Sequence, residues 1–325
     1  MDTIIATECV AQINKQFLAD VIEGLNAVPK KLQSKYFYDK QGDKLFQEIM
    51  ASPEYYLTSC EMEILKEQSA GFSVALSGKN TPFDLIELGA GDGTKSIHLL
   101  RQLITDKAIF NYLPIDISEN VIHHLQSHLP NLLPQLQMQG FVGDYFDELE
   151  EAAQFSSNRK VVLFMGANIG NMLPSEAEAF CVKLKDSLSK GDMLIIGFDL
   201  KKNPREILAA YNDKEGITKR FNLNLLKRIN TELNADFILD NFEHYANYDP
   251  KTGACKSYLI SLKDQQVKVG SSLIHFAKSE YIDMEISQKY SIPEINKLMT
   301  GAGFQYTTNF YDKKYYFVDS IWSVK

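Results

Sequence analysis

The sequence predicts an α/β protein: a parallel sheet with helices on both faces, closed by a C-terminal β-hairpin and interrupted by an α+β insertion. Three observations predict it. Short apolar runs alternate with helical patterns from about Phe83 to Phe198. A glycine-rich loop follows the first of those runs. Beyond Asp199 the rhythm breaks into antiparallel-looking segments, and it resumes near Pro293. With 325 residues the chain is long enough for two domains. The sheet part is assigned to 62–200 and 287–325, the insertion to 201–286, and residues 1–61 precede the alternation.

The elements follow in order. Phe83–Leu88 (FDLIEL) reads as a buried strand and Ser96–Ile104 as the helix after it. Asn111–Ile117 and Glu119–Leu129 form the next strand and helix, and Gly140–Val142 a short third strand. Lys160–Met165 is a fourth strand, Ser175–Leu188 its helix, and Asp192–Phe198 a fifth strand. Pro204–Tyr211 and Gly216–Leu233 read as helices, then Phe237–Tyr248, Lys256–Leu262 and Gln266–Phe276 as antiparallel strands, with PKTG (Pro250–Gly253) as a turn. The sheet resumes with the helix Pro293–Thr300 and the strands Phe304–Tyr311 and Tyr315–Val324. Ahead of all this, Phe17–Leu25 and Phe46–Met50 read as helices, separated and followed by the Tyr-rich stretches YFYD and SPEYYLTSCE. Tyrosines there suit either packing or a cover over a ligand, since each has an apolar ring and a polar tip.

A net charge of −8 disfavours a nucleic-acid footprint and favours a small-molecule partner. No apolar run approaches a membrane span, and MDTIIATECVAQINKQ lacks the basic start and apolar block of a secretory leader. Cys9, Cys60, Cys181 and Cys255 are scattered, as reduced thiols of a cytoplasmic protein would be. His123, His124 and His128 lie on one helical stretch without ligand-spaced partners, so no metal site is expected. A cytoplasmic monomer is the expectation.

The loop ELGAGDGTKS (Glu87–Ser96) nearly matches three nucleotide loops. It is a P-loop with Thr94 where the second Gly belongs, and a dinucleotide fingerprint with Thr94 in place of the third Gly. It fits the methyl-donor pattern acid-x-Gly-x-Gly-x-Gly without a gap. Charge separates the readings. A phosphate loop gathers N–H groups and a lysine around negative charge, and Glu87 opposes that. S-adenosylmethionine has no phosphate and carries a net positive charge, so Glu87 suits it, while Gly89 and Gly91 let the backbone approach closely. Asp199, ending MLIIGFD, imitates the magnesium acid of a P-loop ATPase and keeps that reading alive. Asp116 ends the second strand where an acid accepts ribose hydroxyls. Asp144 follows the third strand, placed to meet the adenine amino group while Tyr145 packs on the base. Taken singly, each acid is better explained as a loop residue or helix cap; together with the loop they favour the methyl donor. After the fourth strand, GANIGNMLP offers Asn171, whose amide suits an amino acid's carboxylate and amine unless it merely caps the next helix.

SKYFYDKQGDKLFQEI, SPEYYLTSCEMEIL, ELGAGDGTKS, PIDIS, GDYF, FMGANIGNMLP, AAYNDKEGITKRFNLNLLKRIN, ADFILDNFEHYA and EISQKYS run in collinear order over nearly the whole chain. In this the sequence resembles the histidine-specific Nα-methyltransferases that make trimethylhistidine for ergothioneine. The resemblance implies a Rossmann-like class I methyltransferase sheet, an α+β substrate-binding domain made of 1–61 with 201–286, and S-adenosylmethionine as cofactor. It implies donor contacts from Gly89, Lys95, Asp116, Asp144 and Tyr145. It implies an acceptor pocket from Tyr38, Tyr56, Gly166, Asn171, Tyr211, Glu285 and Ser287, with Asn171 and Tyr211 on the amino-acid end and Glu285 and Ser287 on the imidazole. Tyr38 is the candidate for taking the amine proton, with solvent as the other route. The loop departs from the family in having Ala90 and Asp92 where Ser or Thr is frequent. On spacing alone Asp283, Glu285 and Ser287 fit simple strand alternation; only the resemblance gives the last two a role. Methylation of another amino acid or small amine, a nicotinamide-dependent dehydrogenase, and a non-catalytic binding protein on the same fold are the alternative readings.

Overall fold

In the computed structural model, Phe83–Leu88 (β1) is buried at all six residues, as a strand covered on both faces must be. The structure describes residues 15–76 and 81–325; Cys9 and the first fourteen residues lie outside them. The chain forms two units, one of Met1–Tyr56 with Lys202–Ser287, the other of Leu57–Lys201 with Gln288–Lys325.

The second unit opens with the helix Tyr56–Leu76 (α1), so the border expected after Glu61 falls inside a helix. After β1 come Ser96–Thr105 (α2), Phe110–Asp116 (β2), Glu119–Leu132 (α3), Phe141–Val142 (β3) and Tyr145–Ala153 (α4). Arg159–Phe164 (β4), Pro174–Asp186 (α5) and Met193–Asp199 (β5) follow, then Ile292–Gly301 (α6), Phe304–Tyr311 (β6) and Phe317–Val324 (β7). These strands make one seven-stranded sheet in the order β6-β7-β5-β4-β1-β2-β3. β1 pairs in parallel with both β2 and β4, and β7 is antiparallel to β5 and β6. That order is the Rossmann-like class I methyltransferase sheet. The chain switches direction between β1 and β4, so a crevice opens at the carboxyl ends of these strands. The core beneath it includes Ile86, Leu113, Val162, Phe164, Ile196 and Trp322, all fully buried.

α3 runs through Pro130 to Leu132, past its expected end at Leu129. A proline in a last turn forfeits one hydrogen bond, and Leu133 N–H still bonds the Leu129 carbonyl at 2.8 Å. At the other end of the pair β5–α6, Lys289 and Asp199 form a 2.7 Å ion pair with no exposed side-chain surface on either partner.

In the first unit, the strands Lys30–Lys31, Tyr281–Gln288, Ala254–Ser261 and Phe242–Asp249 form one sheet in that order. The N-terminal strand is parallel to its neighbour, with Lys30 opposite Ile282 and Lys31 opposite Asp283. Helices at 15–26, Lys40–Ala51, Pro204–Tyr211 and Ile217–Leu233 complete the unit. Its core joins Phe17, Phe37, Phe221, Leu225, Leu259 and Met284. Two strands depart from expectation. Phe237–Tyr248 is shortened because a 3-10 turn, Leu239–Asn241, precedes Phe242. Gln266–Phe276 is a hairpin of Gln265–Val269 and Ser272–Phe276, turned at Gly270 with φ +58°.

Candidate active site

Three glycines shape the loop between β1 and α2. Gly89, Gly91 and Gly93 have φ of +72°, +56° and +69°, a run that side-chain-bearing residues rarely adopt. A Cβ at Gly91 would meet nothing within 4 Å, so the loop is open there. Asp92 stiffens it by accepting from Thr94 N–H at 3.0 Å and Thr94 Oγ1 at 2.7 Å. Asp116, at the end of β2, accepts from Gly91 N–H at 3.2 Å and from Ser118 N–H at 2.9 Å. The ribose acid of the sequence reading therefore touches the glycine loop itself.

Asp144 lies at the start of α4 as its N-cap, with Oδ1 accepting from Phe146 N–H at 3.0 Å. The capping alternative is thus realised, and the same exposed carboxylate sits at the carboxyl end of β3. Tyr145 packs edge-on against Phe164, ring centres 5.9 Å apart. Its hydroxyl lies 2.7 Å from where a Gly89 Cβ would stand, so Gly89 must be glycine for Tyr145 to reach over the loop. Burial, with Asp116 and Asp144 adding, pushes this phenol up to about 12.

The two residues that completed the near P-loop are both held by carboxylates. Lys95 Nζ bonds Glu61, and Ser96 Oγ donates to Glu87. Asp199, the imitation magnesium acid, is paired with Lys289. A lysine committed to an internal glutamate, above a second buried carboxylate, is a poor phosphate cradle. Glu87 itself lies behind the loop, 3% exposed, bonded by Ser96 and by the Tyr112 hydroxyl. The sequence reading set it beside the donor; its bonds make it a brace between β1, β2 and α2.

Burial pushes the Glu87 carboxyl up from 4.5 to about 7, against the lowering effect of its two hydroxyl partners. A pKa raised on folding means that the native state keeps a proton the unfolded chain releases. The stabilisation is complete below pH 4.5 and is lost as pH rises through about 7. Glu87→Gln is expected to flatten this slope, removing a change on the order of 3 kcal/mol. Urea unfolding of both proteins between pH 4 and pH 8 reads it directly; parallel profiles would refute the assignment.

After β4 the chain turns at Gly166 and Ala167, with φ of +76° and +55°, and enters a short 3-10 helix, Asn168–Asn171. Asn171 is exposed at the end of that helix, while α5 is capped through Glu176, which accepts from Leu173 N–H at 2.8 Å. Asn171 is therefore not spent on that cap. The sequence reading missed Asn168. Its side chain lies within 3.7 Å of both the Gly89 and the Gly166 Cβ positions, where the two loops converge.

The remaining predicted residues belong to the other unit. Tyr211 and Ser287, 5% and 4% exposed, share a 2.6 Å hydrogen bond between hydroxyls. Glu285 is two residues from Ser287 on the strand Tyr281–Gln288 and so shares its face. Tyr55 meets the Tyr211 ring edge-on at 6.2 Å. Tyr56 accepts from Lys202 Nζ at 2.9 Å, and the same ammonium lies 4.1 Å from the ring centre. Tyr38 is half-exposed and packs edge-on against Phe46 and Phe221, at 5.5 and 5.9 Å. Asp39 beside it caps the helix Lys40–Ala51 through Gly42 N–H and also accepts from Asn224, both at 2.7 Å.

Residues 17–324 match the family described as histidine-specific, SAM-dependent methyltransferases. The chain belongs to this family. It is a methyltransferase whose cofactor is S-adenosylmethionine. A histidine N-alpha-methyltransferase of Mycolicibacterium smegmatis is 33% identical over 89% of this chain and 88% of its own length. Its counterpart in Mycobacterium tuberculosis is 32% identical over 87% of each. An L-tryptophan methyltransferase of Psilocybe serbica is 27% identical over 91% of this chain and 89% of its own. In this methyltransferase the residues suited to the donor are Gly89, Gly91, Lys95, Asp116, Asp144 and Tyr145, at the carboxyl ends of β1, β2 and β3. The chemistry of this set, open glycine amides and acids with no unengaged phosphate-binding lysine, fits a cationic nucleoside. Among the described residues no helix is long and apolar enough to cross a membrane.

Proposed function

We propose that this methyltransferase moves methyl groups from S-adenosylmethionine to the α-amine of L-histidine, up to trimethylhistidine, in a cytoplasmic pathway of the ergothioneine type. The observation that carries the reading is the buried Tyr211–Ser287 hydroxyl pair with Glu285 on the same strand face. A neutral imidazole has one N–H donor and one acceptor. Glu285 accepts from the first and the Ser287 hydroxyl donates to the second. A site that hydrogen-bonds both nitrogens rejects side chains that leave those groups unpaired, by on the order of 10⁴-fold. The full-length similarity to two histidine N-alpha-methyltransferases supports the same acceptor.

The reaction is an in-line displacement. The amine nitrogen forms a bond to the methyl carbon as the carbon–sulfur bond breaks, and the electron pair stays on sulfur. Sulfonium plus neutral amine thus become thioether plus ammonium, which sheds a proton before the next round. Holding nitrogen, carbon and sulfur in line supplies most of the acceleration. Solvent takes the proton, either directly or through the Tyr38 hydroxyl, which passes its own proton on to water as it accepts the one from the amine. After the third methyl the product keeps a fixed positive charge, which the face of Tyr38 favours.

The test is incubation of the protein with S-adenosylmethionine and L-histidine, with added methyls counted by mass spectrometry. Tryptophan and other amino acids are the comparison, since the Psilocybe relative spans the same length. Turnover of another amino acid but not of histidine would replace this reading. Glu285→Gln is expected to raise the histidine KM on the order of 100-fold, a charge-assisted bond being worth roughly 1.5–3 kcal/mol. Donor affinity by calorimetry should stay within twofold; equal loss of both would remove the imidazole role.

A further inference from the structure

Glu61 carries no role in the reading so far, yet its carboxylate joins the loops after β1 and β4. It projects from the first turns of α1 and is 1% exposed. One oxygen takes Lys95 Nζ from the loop after β1. The other accepts Gly166 N–H at 2.6 Å, at the turn after β4. The fold leaves space for it. A Cβ on Gly197 of β5 would stand 2.7 Å from Glu61 Oε1. Gly197 has a negative φ, so its bareness serves this approach rather than a turn. Asp319 of β7 is the cross-strand partner of Gly197, fully buried, and neither of its oxygens meets a protein donor.

We propose that Glu61 is a positioning residue for methyl transfer: its carboxylate holds Lys95 of the donor loop and the Gly166 amide of the opposite loop in one fixed geometry. The inference rests on Lys95 as a donor contact. An ammonium has three N–H donors, and Glu61 takes one of them, leaving directions for the carboxylate of the methyl donor. The pair also cancels the lysine charge, so the crevice gains a hydrogen-bond donor without a net cation facing the sulfonium. Asp319 completes the balance. Burial and the neighbouring Glu61 charge hold its carboxyl well above the usual range, and the one lysine is bonded to Glu61. The Gly166 bond fixes the φ +76° turn that starts the loop leading to Asn168 and Asn171.

The experiment is a double-mutant cycle read on donor affinity. Glu61→Gln, Lys95→Met and the double variant are titrated with S-adenosylhomocysteine by calorimetry, with the folded fraction set by circular dichroism. Each single variant is expected to weaken binding on the order of tenfold, and the double variant no more than twofold beyond the worse single one. A merely structural role would lower the melting point and leave the affinity of the folded fraction unchanged, which overturns the proposal. Additive losses also overturn it. If Lys95→Met alone leaves affinity intact, the donor role of Lys95 falls and this inference with it; an impaired Lys95→Met beside an intact Glu61→Gln sinks Glu61 only. Gly197→Ala keeps both charges and displaces the carboxylate, and it should reproduce the affinity loss of Glu61→Gln within threefold. Wild-type affinity there, in folded protein, counts against the geometry proposed.

Discussion

Asp116→Ala is expected to weaken S-adenosylmethionine binding on the order of 100-fold, because one carboxylate serves two partners. It accepts from Gly91 N–H at 3.2 Å and Ser118 N–H at 2.9 Å in the loops, and on the proposed assignment it also takes the ribose hydroxyls of the donor. Charge-assisted hydrogen bonds contribute roughly 1.5–3 kcal/mol each, so losing the ribose pair alone reaches that size. Asp116→Asn keeps an acceptor for the loop amide and discards the charge; about tenfold is expected. Calorimetry against S-adenosylmethionine and S-adenosylhomocysteine measures both. Unchanged affinity in the alanine variant would remove the ribose assignment and leave Asp116 as a loop brace.

The second large effect is on stability. Lys289→Met is expected to destabilise the protein by about 3–5 kcal/mol, because it removes the balancing ammonium from the Asp199 carboxylate where no side-chain surface reaches water. Replacing both partners, Lys289→Met with Asp199→Leu, should restore most of the loss, since the desolvation penalty disappears along with the attraction. Denaturant midpoints of the wild type and the two variants decide it. A double variant as unstable as the single one would mean that the surrounding backbone, where Tyr290 N–H bonds the Asp199 carbonyl at 2.9 Å, depends on the charges themselves.

The sheet was legible because its signal is periodic. Pro204–Tyr211 and Phe304–Tyr311 were read to the residue, and β1 likewise, since each is bounded by turn chemistry and carries a clear pattern. The shared end of the sheet at which Asp116 and Asp144 stand was legible for a topological reason: parallel strands put their carboxyl ends on one side, so acids after successive strands converge. What direction each side chain takes was less accessible. Every residue of β1 is buried, so no alternation tells which face Glu87 occupies, and it turned out to brace Ser96 and Tyr112. Glu61 was invisible because its partners are 34 and 105 residues away, and nothing local distinguishes it from any helical glutamate. Asp199 looked like a magnesium acid until Lys289, 90 residues later, claimed it. The split of Gln266–Phe276 had a readable cue, Gly270 between two apolar stretches, that was passed over.

The small parallel pairing of Lys30–Lys31 with Ile282–Asp283 has a bearing on how this protein is made. A ribosome must travel about 250 residues between synthesising one strand and the other. Until Ile217 is made, the helix at 15–26, with Phe17, Val21 and Leu25, has none of its core partners at 217–284 to cover it. The nascent chain therefore carries a greasy, unsatisfied leading segment while the sheet that follows it is already emerging. Chaperone capture of stalled nascent chains should concentrate on those first residues and fade once the stall point passes Met284 and clears the exit tunnel.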